Sequence, residues 1–130
     1  MRIAQCRCGA LEAHCEGEPT QVSVCHCLEC QRRTGSAFGV QARFPMLCVT
    51  TDGEFRTYER VGESGLWARY HFCPGCGATV FYENEDLPGA YAIPVGAFAD
   101  PTFAHPTRSI FESRNHQWVQ ILEGNIEAKP

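Results

Sequence analysis

Three cysteines within six residues, Cys25-His26-Cys27-Leu28-Glu29-Cys30, constrain this chain more than any other stretch. A single buried cysteine packs as a small hydrophobe, but core thiols have no reason to gather at turn-like spacing. A C-x-C-x-x-C pattern instead builds a soft, thiolate-rich pocket, the donor set that suits a tetrahedral zinc ion. Three thiols fill three of the four positions. With no fourth protein ligand the ion keeps the open position of a catalytic zinc; completed by His26 or a distant residue, it is closed and structural. The open arrangement is the expectation.

Nine cysteines in 130 residues is itself unusual. In a secreted chain they would suggest disulfides, but the count is odd and a cysteine motif at residue 6 leaves no room for a signal peptide. Metal in a reducing, cytoplasmic setting is therefore expected. No apolar run is long enough to cross a bilayer, so no membrane partner is expected. The formal net charge is −4. Arg32-Arg33 is a pair rather than a basic stripe, so nucleic acid is not an expected partner. The length suits one domain over residues 1–130.

Around the cysteines the chain reads as short strands punctuated by glycine and proline. Residues 10–16 alternate and stop at Gly17-Glu18-Pro19. Gln21 to Val24 forms a second strand that delivers the C-x-C-x-x-C stretch, and Cys30 to Gly35 is one helical turn closed by glycine. Further strands are expected at Phe38–Phe44, Leu47–Thr50, Phe55–Glu59, Leu66–Phe72, Ala78–Tyr82 and Ala90–Val95, with a turn at Asp52-Gly53. Ser109-Ile110-Phe111 and Trp118–Ile121 supply the last one or two. So many short strands with little helical periodicity predict a mostly β domain.

Cys73-Pro74-Gly75-Cys76-Gly77 is a second cysteine turn. Its C-x-x-C could be a redox dithiol, but that motif belongs at the start of a helix in a βαβ unit, and strand-like sequence flanks this one. As a knuckle it supplies two ligands, and Cys6-Arg7-Cys8-Gly9 supplies the obvious second pair. Joined, they make a closed four-cysteine site that contributes folding energy. Cys15 and Cys48 fall inside strand candidates as buried, unligated thiols. His26 faces away from the metal as a supporting or substrate-side group, and His14, His71, His105 and His116 have structural roles.

This ordered set, with Thr34-Gly35-Ser36 after the first cluster and Ile110-Phe111, Ser113 and Trp118 in the tail, resembles the glutathione-dependent formaldehyde-activating enzyme family, which also includes centromere protein V. The resemblance implies a β-tent fold, packed antiparallel sheets pinned by a structural zinc on Cys6, Cys8, Cys73 and Cys76. It implies a second, catalytic zinc on Cys25, Cys27 and Cys30, making two Zn²⁺ per chain. The implied activity is a carbon–sulfur lyase reaction linking a small thiol, glutathione, with an aldehyde, formaldehyde, through S-(hydroxymethyl)glutathione. The founding enzyme is longer, and this compact chain has few residues for a dedicated glutathione cleft.

Thiol activation is the chemistry an open three-cysteine zinc performs, since a coordinating thiol is deprotonated. Arg32, Arg33, Thr34 and Ser36 follow the cluster directly and are candidates to polarise the carbonyl or bind substrate carboxylates. Two other classes stay open at this point: a zinc-stapled binding module with no chemistry, and a thiol-redox protein.

Overall fold

A computed structural model describes residues 1–121 and 126–130 of the chain. Strands β1 (Arg2–Gln5), β2 (Glu12–Cys15) and β5 (Val49–Asp52) form a small antiparallel sheet in the order β1-β2-β5. The large sheet has eight strands: β11 (Glu127–Ala128), β10 (Arg108–Ile110), β3 (Gln21–Cys25), β4 (Gly39–Pro45), β9 (Ala90–Pro94), β8 (Thr79–Asn84), β7 (Trp67–Phe72) and β6 (Arg56–Val61), neighbouring in that order. Its pairs are antiparallel except β10, which runs parallel to both β3 and β11. The architecture is mostly β, as the punctuated strand pattern predicts, with packed, largely antiparallel sheets, as the resemblance implies. No helix among the described residues is long and apolar enough to cross a membrane.

Strand alternation gives the large sheet two different faces, because successive side chains point to opposite sides. Val22, Ala42, Phe44, Phe81 and Ile93 point towards the small sheet, where Ala4, Leu11, Ala13 and Cys15 meet them in one core. Fully burying a side chain such as Phe44, Leu11 or Ile93 contributes about 1.5–3 kcal/mol. Cys15 is a buried thiol of this core, as expected. The opposite face carries Ser23, Cys25, Gln41, Tyr70 and Tyr82, in register through Ser23↔Gln41, Cys25↔Gly39 and Tyr70↔Tyr82. A one-residue slip in any of these strands would exchange the two faces, so the apolar core holds the polar face in place.

Several elements differ from the sequence expectation. β1 is a strand that Met1–Gln5 did not announce: it is short and only Ala4 is buried, so its sequence carries almost no periodic signal. The helix is longer, α1 (Leu28–Thr34), because the Cys27 sulfur caps its start by accepting the Cys30 N–H at 3.3 Å. It ends at Gly35, which takes φ 67° as the expected glycine stop. Cys48 lies in a 3-10 turn over Met46–Cys48 rather than in a strand, and the strand starts at Val49. Trp118 sits in a turn and no strand forms over residues 118–121; the last strands are β10 and β11. At the predicted Asp52-Gly53 turn, Gly53 has φ 104° and no room for a side chain, because the Ala10 carbonyl closes on it.

Candidate metal centres

The first centre joins two turns of like construction. At the N-terminal turn, Cys6 N–H donates to Leu11 O (2.9 Å) and Gly9 N–H donates back to Cys6 O (3.1 Å). At the second, Cys73 N–H donates to Ala78 O (3.0 Å) and Gly77 N–H to Cys73 O (2.8 Å). Gly9 and Gly77 have φ 82° and 79°, the left-handed conformation that glycine adopts without strain. The sulfurs of Cys6, Cys8, Cys73 and Cys76 all lie within 4.8 Å of one another. Cys6–Cys8 and Cys8–Cys73 are separated by 3.6 and 3.7 Å. A tetrahedral thiolate-bound ion with bonds near 2.3 Å sets its sulfurs about 3.8 Å apart, so the set fits a metal closely. Backbone N–H groups of Leu11 and Gly75 point at the Cys6 and Cys73 sulfurs at 3.2 and 3.3 Å, favouring the charged thiolates.

The second centre is Cys25, Cys27 and Cys30, again with sulfurs within 4.8 Å of one another. Cys25 ends β3 on the polar face of the sheet, and the chain then turns into α1, which brings Cys27 and Cys30 back over it. Three thiols this close cannot all ionise alone. Hydrogen bonds from Cys25 and Cys30 draw Cys27 down to about 2, while Cys25, sharing its proton with Cys27 and Cys30 and buried, is driven far up. A divalent cation removes that conflict, so this donor set also fits a metal. Among the described residues no further His, Cys, Asp or Glu joins either cluster. Cys15 and Cys48 stay apart from both, and all nine cysteines are free.

A cleft of about 500 Å³ opens directly on the three-cysteine cluster. Cys25, Cys27 and Cys30 line it together with Gln41, Arg43, Trp67, Tyr70, Tyr82 and Asn84 from the polar face. The compact chain thus encloses a cleft that its length did not announce. Tyr70 and Tyr82 are deeply buried, and burial raises the Tyr70 phenol to about 12 and the Tyr82 phenol also upward, so both stay protonated. One end of the cleft is tied by Arg60 Nε to Glu29 Oε2 (3.2 Å), which links β6 to α1.

The residues after the cluster separate. Arg32 is exposed and lines the cleft. Arg33 turns inward onto Tyr70 and Tyr82, with its guanidinium carbon 5.6 and 4.9 Å from their ring centres. The Thr34 hydroxyl donates to Cys30 O (2.8 Å) and accepts the Ser36 N–H (3.1 Å), closing the end of α1; Thr34 and Ser36 are not cleft-lining. His26 is buried with Nε2 2.9 Å from Ser109 Oγ, away from both metal-ligand sets. Gln31 was not singled out from the sequence, yet its Nε2 donates to His26 O (2.9 Å) and Arg114 O (3.0 Å), holding the C-terminal segment against α1. Tyr70, Tyr82, Gln41 and Arg43 were also missed. Their signal was the strand alternation, which sets them opposite Phe81, His71, Ala42 and Phe44.

Residues 1–114 match the family described as glutathione-dependent formaldehyde-activating enzyme. The chain matches none of the curated proteins. Among solved structures, the crystal structure of a Rhodobacter sphaeroides protein, a structural-genomics target, is similar at a TM-score of 0.58. The two are 23% identical, over 73% of this chain and 85% of that one. At that identity the likeness speaks for the fold.

Proposed function

The chain belongs to the glutathione-dependent formaldehyde-activating enzyme family, and from that membership we propose that it acts as a carbon–sulfur lyase over its three-cysteine cluster. The substrates are a small thiol such as glutathione and an aldehyde such as formaldehyde, joined to or released from their adduct. One observation carries this reading: the three-cysteine cluster lines a cleft of about 500 Å³, whereas the four-cysteine cluster already has four sulfurs for a tetrahedral ion. Cys6, Cys8, Cys73 and Cys76 hold a structural zinc, and Cys25, Cys27 and Cys30 a second, catalytic one. That second zinc would supply a fourth position in which an incoming thiol loses its proton.

The remaining work falls to the chain. Residues 1–130 act as one domain, in a reducing compartment such as the cytoplasm. Arg32 at the cleft surface, with Arg43 and Arg114 on its wall, attracts and orients substrate carboxylates. Tyr70 keeps its proton at neutral pH and donates a hydrogen bond to the aldehyde oxygen. As the sulfur lone pair forms the C–S bond, the carbonyl π pair moves onto that oxygen, which takes a proton from Tyr70 or water. The proton given up by the thiol passes to water and restores Tyr70, so no net proton is gained or lost. Thr34 and Ser36 support the site by closing the helix that carries Cys27 and Cys30.

Native mass spectrometry of freshly purified protein, with and without glutathione, tests the assignment. Two zinc ions per chain, one of them binding or yielding to the thiol, is the expected result. Two zinc ions indifferent to thiol would instead indicate a stapled binding module.

A further inference from the structure

Arg33 sits in surroundings that an arginine seldom accepts. Its Nε and Nη2 are buried with no hydrogen-bond partner among the described residues. The ion pairs there engage Arg2, Arg60 and Arg69, not Arg33. Burying a guanidinium without an anion is costly, so a charge of opposite sign is called for nearby. The nearest source is Cys30, three residues back on α1. A Cβ on Gly39 would lie 3.2 Å from Arg33 Nη2 and 3.7 Å from the Cys30 sulfur, so the bare glycine makes room for the two side by side. The other contacts are the ring faces of Tyr82 and Tyr70, at 4.9 and 5.6 Å. Ring faces hold a cation without cancelling its charge, whereas a carboxylate would neutralise it.

We infer that Arg33 is a positioning residue whose charge, paired with no carboxylate among the described residues, makes the fourth position of the three-cysteine centre select an anionic ligand, a thiolate, over a neutral one. The inference rests on the proposal that this cluster holds a divalent ion. Three thiolates around such an ion leave one net negative charge, and a fourth thiolate would double it inside a partly enclosed cleft. Arg33 offsets one of those charges before the ligand arrives. The four-cysteine cluster carries the doubled charge differently, with Cys8 exposed to water and backbone N–H groups on Cys6 and Cys73. Arg33 therefore acts through the cluster, not by touching the substrate.

The zinc-loaded protein and its Arg33→Gln and Arg33→Lys variants test this by calorimetric titration with three probes. These are 2-mercaptoethanol, an uncharged thiol; glutathione, a thiol bearing carboxylates; and imidazole, a neutral ligand. R33Q is expected to weaken both thiols by the same factor, on the order of a hundredfold for one charge lost a few ångströms away. Imidazole binding should be unchanged, and R33K should restore most of the thiol affinity. Zinc content, measured alongside, should stay at the wild-type value. Loss confined to glutathione would overturn the inference, because Arg33 would then be binding carboxylates. Unchanged thiol affinity in R33Q would overturn it while leaving the lyase reading in place. A wild-type protein that takes up neither thiol would overturn both. Should R33Q fail to fold, R33M, whose apolar chain suits the space between the two rings, replaces it in the same comparison.

Discussion

The four-cysteine cluster ties residues 6–8 to residues 73–76 across the fold, while the three-cysteine cluster gathers within six residues at the mouth of one helix. The first has four sulfurs, two of them held by backbone N–H groups, in a spacing that closes a tetrahedron. The second has three, a cleft beside it and a half-buried arginine whose Nε and Nη2 have no hydrogen-bond partner among the described residues. Under the proposed function the same side chain serves two ends, and the difference lies in sequence separation. Ligands far apart in the chain make a metal a cross-link, whose binding energy is folding energy. Ligands close together cross-link little of the chain, and the proposed function gives their ion the chemistry instead.

The sharpest way to break this comparison is to remove one thiol from each cluster. Cys76→Ser should unfold the chain, since structural zinc in small domains contributes about 10 kcal/mol or more. Cys27→Ser should keep a native circular dichroism spectrum and a cooperative melt while losing one zinc and all activity. Equal loss of folding in both would erase the distinction. Smaller in effect, Tyr70→Phe touches only the cleft: about a 100- to 1,000-fold fall in kcat is expected, as for loss of one transition-state donor, with both metal ions retained. An unchanged kcat would remove Tyr70 from the mechanism and leave the cluster comparison standing.

The last and smallest test separates the acid sensitivity of the fold from that of the clusters. His71, bonded to Thr57 Oγ1 (2.8 Å) and Glu83 Oε1 (3.2 Å), is buried, and burial holds its pKa below the ordinary 6.5 against the pull of Glu83. Below pH 6.5 the unfolded chain binds this proton and the folded one resists it. The stabilising contribution is therefore whole above that pH and is lost as pH falls towards the lower folded value. His71→Gln should flatten this part of the dependence of melting temperature on pH, leaving the acid loss due to thiolate protonation. Parallel curves for the two proteins would assign the whole acid limb to the cysteines.

Much of this was legible from particular residues. The alternation over Phe38–Phe44 is the alternation of β4, and Gly35 stops the helix as its position suggests. The two cysteine groupings come together spatially along the lines their spacing suggests. β1 was not legible, because a short strand with one buried residue has no pattern to read. The extent of α1 was not, because its cap is a cysteine sulfur rather than a customary hydroxyl or carboxylate. Trp118–Ile121 was misleading: an apolar stretch in the tail looks like a strand, yet Trp118 is 75% exposed in a turn.

Local spacing decides that Cys25, Cys27 and Cys30 converge, and that the turns at residues 6–9 and 73–77 each present two sulfurs, because a few backbone dihedrals and a permissive glycine are enough to bring them together. Hydrophobic alternation likewise decides that the chain forms strands with an apolar and a polar side. Only packing decides that the polar sides of β3, β4, β7 and β8 unite into one cleft over the three thiols, and that Arg33 enters the space a side chain on Gly39 would have taken. Those placements depend on which strands become neighbours across long stretches of chain. That choice is made by the shared core around Phe44, Leu11 and Ile93, and no short-range signal in the chain encodes it.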